Sequence, residues 1–423
     1  VDGVLIEGFA TPTVRSNTVE GNGSIGIEVP AGSTARIEEN RIFNHPTGLL
    51  ATGSARPIVE FNDFGGNEIA ILVASTAAPS VASNNVADSS DAGILVLDEA
   101  RGLLDRNVLV GNLIGIQVGG TAAPIVSDNE VTFGDQSDGI GLLYLENGYG
   151  TVSGNSISGY LTGVQIGDGA APTINETTIS NIGSTGILIG GASDGSVDAV
   201  AIDDADIGVL VGGEAIATIT NSTISNSRSA GIAFSEQAGG EASDNTISGS
   251  RGTGVQVSGS AAPSLLRNSI TSAGDVGLLY LDGAGGTASG NSISGGRLAV
   301  QVSGRSRPGI RSNTIASTSA AGVIYSGSSG GSFSGNTVRN TGEIGVQVGG
   351  SAAPVVGGNT ITGMSAVGIL YLESAAGTAS GNSISDVDAG IQAFDTSRPA
   401  VEGNTLSSCL LYTSDAADEG VEG

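Results

Sequence analysis

The chain of 423 residues has no lysine and no tryptophan, and only one cysteine, one methionine and one histidine. Each shortage removes a class of explanation. A single Cys409 cannot form a disulfide within the chain, so no covalent framework holds the fold and the redox compartment stays open. The 15 basic residues, all Arg, face 42 acidic ones, for a net charge of −27. Most of such a surface repels phosphate and anionic lipid, because binding them takes clustered positive charge, and nucleic acid is not expected as a partner. No run nears the ~18 apolar residues of a membrane-spanning helix, so no span is expected in this sequence. Aromatics are limited to 7 Tyr and 8 Phe, which leaves small aliphatic side chains to build any core.

What is abundant is glycine, 70 residues, with 11 prolines besides. Each Gly in a helix interior costs about 1 kcal/mol relative to Ala, so a mostly helical protein is excluded. The 39% of hydrophobic residues argue equally against disorder.

The sequence repeats. An aliphatic, two residues, Asn, one residue and another aliphatic recur, as in Val14 to Val19 around Asn17 and Leu104 to Leu109 around Asn107. The column comprises Asn17, Asn40, Asn62, Asn84, Asn107, Asn129, Asn155, Asn245, Asn268, Asn291, Asn313, Asn336, Asn359, Asn382 and Asn404, with Thr177, Val200 and Ser222 holding the place between Asn155 and Asn245. Nearly every step is 22 or 23 residues, and the one step of 26, from Asn129 to Asn155, locates an insertion around Thr132 to Gly139. Within a unit, apolar residues alternate in short bursts, as in Gly254-Val255-Gln256-Val257. Period two with Ile and Val means strand. Helical repeats need about 33 residues and good helix formers, and the Leu-rich consensus of leucine-rich repeats is absent. The expectation is an all-β solenoid of about 18 coils, each with three short strands pairing in parallel with the coils above and below. The Asn column then reads as a structural ladder, each Asn at a bend where it tolerates αL geometry and stacks its amide along the solenoid.

A longer period of about 45 residues overlies the first. Coils with Ala-Ala-Pro, such as Ala122-Ala123-Pro124, alternate with coils reading Gly-Leu-Leu-Tyr-Leu-acid, such as Gly277 to Asp282. Alignment on Asn sets Tyr280 with Ala288 against Val257 with Leu265, a large residue matched by a small one. Conserved cross-section therefore points the tyrosines inward, although Tyr325 with Phe333 departs from the pattern. Leu143 and Leu145, Leu279 and Leu281, and Leu370 and Leu372 then point outward beside Gln256 and Ser258, making a semi-apolar stripe. It can receive a partner chain, a second solenoid or a sugar ring, or be covered by a segment outside this sequence.

These features resemble the right-handed parallel β-helix of the pectin-lyase-like superfamily. The Gly-Asn-Ser-Ile-Ser units, such as Gly290 to Ser294, and Gly254 to Val257 are similar to the β-helix repeat of periplasmic copper-reductase accessory proteins and bacterial surface proteins. The resemblance covers residues 1 to about 408 and implies a periplasmic, cell-surface or extracellular location. It is specific for fold and weak for function. Its polysaccharide-acting members include lyases, hydrolases and epimerases. The first and last of these take a sugar C5 proton with Lys, Arg, His or Tyr. Here Lys is missing, and His45, in Asn44-His45-Pro46-Thr47, reads as a turn without the Asp-Pro-His grouping of epimerases. The carboxylate set of polygalacturonases is not assembled, Asp203-Asp204 standing alone. No catalytic residue is assigned.

Two charge clusters are the weaker site candidates. Between Asn107 and Ser227 there is no basic residue, and Asp194, Asp198, Asp203, Asp204 and Asp206 gather where the Asn column fails at Val200. Hard carboxylate oxygens suit Ca²⁺, but the spacing matches no calcium loop, and a solvated acidic rim is the alternative. No other cofactor is implied. Arg297, Arg305, Arg307 and Arg311 form the opposite cluster. Arg305 lies near the level of Asp282 one coil below, so the choice is between a structural ion pair and Arg forks holding an acidic glycan. Sequons occur at Asn22, Asn175 and Asn221. With Val rather than Met at position 1, the expectation is a piece of a longer protein, truncated at both ends. Residues 409–423 break the period, and the string from Ser408 to Glu419 resembles translated sequencing-adapter read-through. The functional expectation is a non-catalytic surface scaffold for adhesion or carbohydrate contact, the rival being a polysaccharide-processing enzyme distinguished by long loops around a cleft. The candidate partners are a polysaccharide or another surface protein.

Overall fold

A computed structural model describes residues 3–21, 23–134 and 138–409. The sequon Asn22, part of the insertion around 132–139, and the tail beyond Cys409 lie outside the described residues. The chain divides into two compact units, Val1–Asn268 and Ser269–Gly423. Both consist of right-handed parallel β-coils, and among the described residues there is no helix. Counted over the two units, sheet A contributes 18 strands, one per coil.

One coil of the first unit shows the plan. Ile69–Val73 lies in sheet A, Ser80–Ala82 in sheet B and Asn85–Ala87 in sheet C. Each pairs in parallel and in register with its counterparts one coil away, for example Ile71 with Leu49 and Ile94, and Val81 with Val59 and Leu104. The central residue of each three-residue strand points inward, so Val81 and Val86 are at most 1% exposed. Stacked aliphatics thus fill a thin lumen, each buried side chain contributing roughly 1.5–3 kcal/mol.

Sheet A departs from strict alternation. Its second position is almost always Gly, and a Cβ on Gly141 would lie 2.5 Å from Ile157 Cγ2 and 2.6 Å from the Gly163 carbonyl oxygen. Positions two, three and five therefore face the lumen, and only positions one and four face out. At position five Tyr144, Tyr280, Tyr325 and Tyr371 are fully buried, as the large-for-small alignment predicts.

The Asn column runs along the bend between sheets B and C. In the first unit Asn62 Oδ1 accepts from the Asn40 main-chain N–H (2.9 Å) and from Asn40 Nδ2 (3.0 Å), while Asn62 Nδ2 donates to Ile37 O and Glu60 O. In the second unit Asn336 Oδ1 accepts from the Asn313 N–H and Nδ2 in the same way. One expectation is corrected. The αL geometry belongs to the residue before each Asn, at φ 57° for Glu39, 56° for Phe61 and 49° for Arg106. The Asn itself must present its amide inward, so its neighbour turns the chain. Gly154, Gly290 and Gly381 serve there at φ 67°, 68° and 61° without a Cβ penalty.

Candidate interaction face

The outward rows of sheet A form the most continuous unusual surface of each unit. From Thr47 to Thr253 in the first unit, positions one and four carry Ile, Leu, Thr, Ala and Gln and no charged residue. Position four carries Leu, Gln or Ala, Leu and Gln alternating through Gln117, Leu143 and Gln165. The second unit continues the composition from Val276 to Gln392. These side chains shelter one another. Leu143 and Leu370 are only 6% and 9% exposed, and Val276, Leu298 and Ala321 form a satellite cluster with Leu279, Ile324 and Ile344 outside the lumen. The outward stripe is thus two rows of sheet A; of the leucines expected in it, Leu143, Leu279 and Leu370 lie at position four, whereas Leu145, Leu281 and Leu372 fall one residue past those strands. In the first unit it opens into a depression of about 330 Å³ between Leu113, Ile114, Ile140, Leu161 and Gln165, with Asp138 at its edge. In the second unit a depression of about 340 Å³ lies between Leu298, Ala320, Ile324 and Ile344, with Arg297 and Glu343 beside it.

The five clustered aspartates are not brought together. A coil takes about 22 residues to close, so near neighbours in sequence lie on different sides of it. Asp194 sits in the turn after sheet A, Asp198 ends a sheet-B strand, Asp203 ends a sheet-C strand, and Asp206 precedes the next sheet-A strand. Four of them are engaged singly with the next coil. Asp198 Oδ1 accepts from Thr220 Oγ1 (2.6 Å) and Asn221 Nδ2 (2.7 Å), and these donors hold its carboxyl below the usual range. Asp203 accepts from Ser225 and Asn226, Asp204 pairs with Arg228 at 2.8 Å, and Asp206 accepts from Ser229. Among the described residues no three His, Cys, Asp or Glu side chains are grouped to hold a metal ion.

The four arginines fall on three parts of one coil, Arg297 before a sheet-A strand, Arg305 and Arg307 in the turn after it, and Arg311 in sheet B. Arg297 Nε pairs with Asp275 at 2.7 Å. The ion pair expected between Arg305 and Asp282 is corrected: their contact is main chain, the Arg305 N–H donating to Asp282 O at 3.3 Å. Arg307 lies in the same turn, and Arg311 ends a sheet-B strand with its side chain exposed.

His45 is 4% exposed, its Nε2 lying 3.3 Å from the Val19 carbonyl oxygen. Its main-chain N–H donates to Asn67 Oδ1 (3.0 Å), and the Ser89 N–H donates likewise to Asn112 Oδ1. This is a second, shorter ladder at the bend leading to sheet A. Its signal lay in the sequence: His45, Asn67, Ser89 and Asn112 each follow a column Asn by five residues. Burial disfavours the phenolate and pushes the pKa of the core tyrosines well above neutral pH, that of Tyr371 up to about 12. Neither His45 nor these tyrosines can meet a polymer in solution.

The family described as right handed beta helix region matches residues 1–131, 69–200, 207–340 and 298–421. No curated protein matches the chain in sequence. Among solved structures, a double mutant of the periplasmic alginate epimerase AlgG is similar over 71% of this chain and 73% of its own, at 13% identity and TM-score 0.45. The Azotobacter vinelandii mannuronan C-5 epimerase AlgE6 A-module is similar over 89% and 91%, at 13% identity and TM-score 0.33. The Dettilon tailspike protein is similar over 89% and 62%, at 11% and 0.30. These likenesses concern the coil alone and carry nothing about activity.

Proposed function

This chain belongs to the family of right-handed β-helix regions, and from that premise we propose that it is a non-catalytic scaffold working outside the cytoplasm, secreted, periplasmic or on the cell surface. It presents the outward face of sheet A to a polysaccharide or to another surface protein. The observation that carries this reading is the charge-free double row itself. In a chain of net charge −27, ten successive coils whose outward positions avoid every ionisable residue have the composition of an interface core, where charge is depleted. Solvation alone gives no reason for that avoidance. Among the described residues no helix is long and apolar enough to cross a membrane.

The experiment is retention on a panel of immobilised polysaccharides and surface proteins, with Leu188→Glu and Leu210→Glu as face variants. Both leucines are part-exposed at position four, so the coils fold around the change. The expected result is at least tenfold weaker retention of the variants on whichever surface holds the parent chain, with no reducing ends or unsaturated uronates released, with or without Ca²⁺. Turnover of any polysaccharide, or retention indifferent to the two carboxylates, overturns the proposal.

A further inference from the structure

A surface hollow of the first unit, about 590 Å³, lies on a different face, the outside of sheet C. Four strands build it: Arg41–Phe43, Asp63–Gly65, Asn85–Ala87 and Val108–Val110. Their register aligns Phe43 with Gly65, Ala87 and Val110 in one outward row, and Arg41 with Asp63, Asn85 and Val108 in the other. The first row has walls and a floor. Phe43 stands at one end and Val110, 47% exposed, at the other, three coil steps or ~14 Å apart. Between them Gly65 and Ala87 keep the floor low, with the edge of the Phe43 ring resting against Gly65. A Cβ on Gly65 would lie 2.7 Å from Phe43 Cε1, so only Gly lets the ring lie over the next coil. The Arg41 guanidinium sits 5.1 Å from the ring centroid and steadies it.

The long sides are polar. Asp63 and Asn85 line one, joined by a 3.3 Å hydrogen bond from Asn85 Nδ2 to Asp63 Oδ1, and Asn44 and Asp88 line the other at αL turns. Beyond the Asp63 and Asn85 ridge lies a second hollow of about 400 Å³, with Phe61, 62% exposed, on its wall. An aromatic therefore flanks each side of a carboxylate and amide ridge.

We infer that this hollow is a binding site for a neutral sugar unit of a glycan. The face of a pyranose presents a patch of C–H groups, weakly positive, which packs on the negative face of an aromatic ring. Its hydroxyls need paired acceptors and donors, which the Asp63 and Asp88 carboxylates and the Asn44 and Asn85 amides supply. The same carboxylates repel a uronate or a sulfate, which separates this site from recognition of acidic polymers by Arg forks. The volume falls within the usual range for small-ligand sites. The inference rests on the carbohydrate branch of the proposed function and adds to the sheet-A face a separate sugar site on sheet C.

The test is titration of the full chain, by NMR or calorimetry, with cellobiose and N-acetyllactosamine as neutral probes and digalacturonate as the acidic one. Saturable millimolar binding of a neutral probe, at least tenfold weaker for digalacturonate, is expected. Ala87→Leu fills the floor from outside and should abolish binding with an unchanged melting temperature; Phe43→Ala should weaken it at least tenfold. Leu188→Glu, on sheet A, should leave it unaltered. Absence of saturable binding by both neutral probes, or binding that survives Ala87→Leu, overturns the assignment. Loss of polymer retention in Leu188→Glu without sugar binding at the hollow would sink this inference and leave the sheet-A reading standing.

Discussion

Two stretches of the first unit solve the same problem in different ways. From Asn17 to Asn155 the coils are tied through the buried column, where Asn107, for example, accepts from the Asn84 N–H and Nδ2 and donates to Val81 O. From Thr177 to Ser222 the column lapses. Thr177 turns its hydroxyl onto the Asn175 carbonyl (2.9 Å), Val200 has no acceptor to offer, and Ser222 resumes the pattern by accepting from the Val200 N–H at 3.1 Å. In this stretch the ties move outside. Asp198, Asp203, Asp204 and Asp206 reach Thr220, Asn221, Ser225, Asn226, Arg228 and Ser229 on the next coil. The acidic group that resembles a cation site in sequence is spent on inter-coil hydrogen bonds. A buried amide tie does not titrate, whereas an exposed carboxylate tie does.

The comparison breaks first if the column is not what holds the intact coils. Asn107→Ala leaves the buried Asn84 N–H without its acceptor, worth ~1–3 kcal/mol, and takes one donor from the Val81 carbonyl, while Asn84 Nδ2 keeps Val59 O and Ala82 O. A local loss of about 3 kcal/mol is expected. Solenoid coils contact only their neighbours, so native-state hydrogen exchange should rise from about Asn84 to Asn129 and remain unchanged near Val200. Uniform or absent acceleration would contradict the ladder. A smaller effect of opposite sign is expected at the lapse. Val200→Asn offers an acceptor to the Thr177 N–H and a donor to the Ile174 carbonyl, and should raise local stability by about 1 kcal/mol. Faster exchange at Thr177 in that variant would mean the pocket shaped around Val200, 1% exposed, cannot take an amide.

The period, the strand class, the Asn column and the inward tyrosines were legible in the sequence because each repeats every one or two coils, so fifteen imperfect copies speak for one geometry. What repeats only locally was not. The αL residue before each Asn is Glu39, Phe61, Arg106 or Gly154 by turns, with no common side chain to betray it. The kink in sheet A hides in a Gly, whose lack of a side chain conceals that it faces the lumen. The acidic cluster was misgrouped by proximity in sequence, since 12 residues from Asp194 to Asp206 carry the chain past three faces of a coil. The hollow on sheet C needs Phe43, Gly65, Ala87 and Val110 set side by side, and only the register does that.

The smallest expected effect separates the two kinds of tie most directly. Donors from Thr220 and Asn221 hold the Asp198 pKa below its ordinary value in the folded state, so its contribution is present above the unfolded value near ~3.9 and is lost as pH falls through the folded one. Asp198 lies near the surface, where solvent screens the gain, so the change is confined to local opening. Acidification from about pH 5 to about pH 2 should increase exchange at Thr220 and Asn221, after correction for intrinsic rates. Exchange at Asn84 and Asn107, where no ionisable group takes part in the tie, should not move. Asp198→Asn should make the acid-dependent increase at Thr220 and Asn221 much smaller while lowering their protection at neutral pH, because a neutral amide accepts more weakly than a carboxylate. An equal response to acid in both stretches would show that the carboxylates decorate the lapse without tying it.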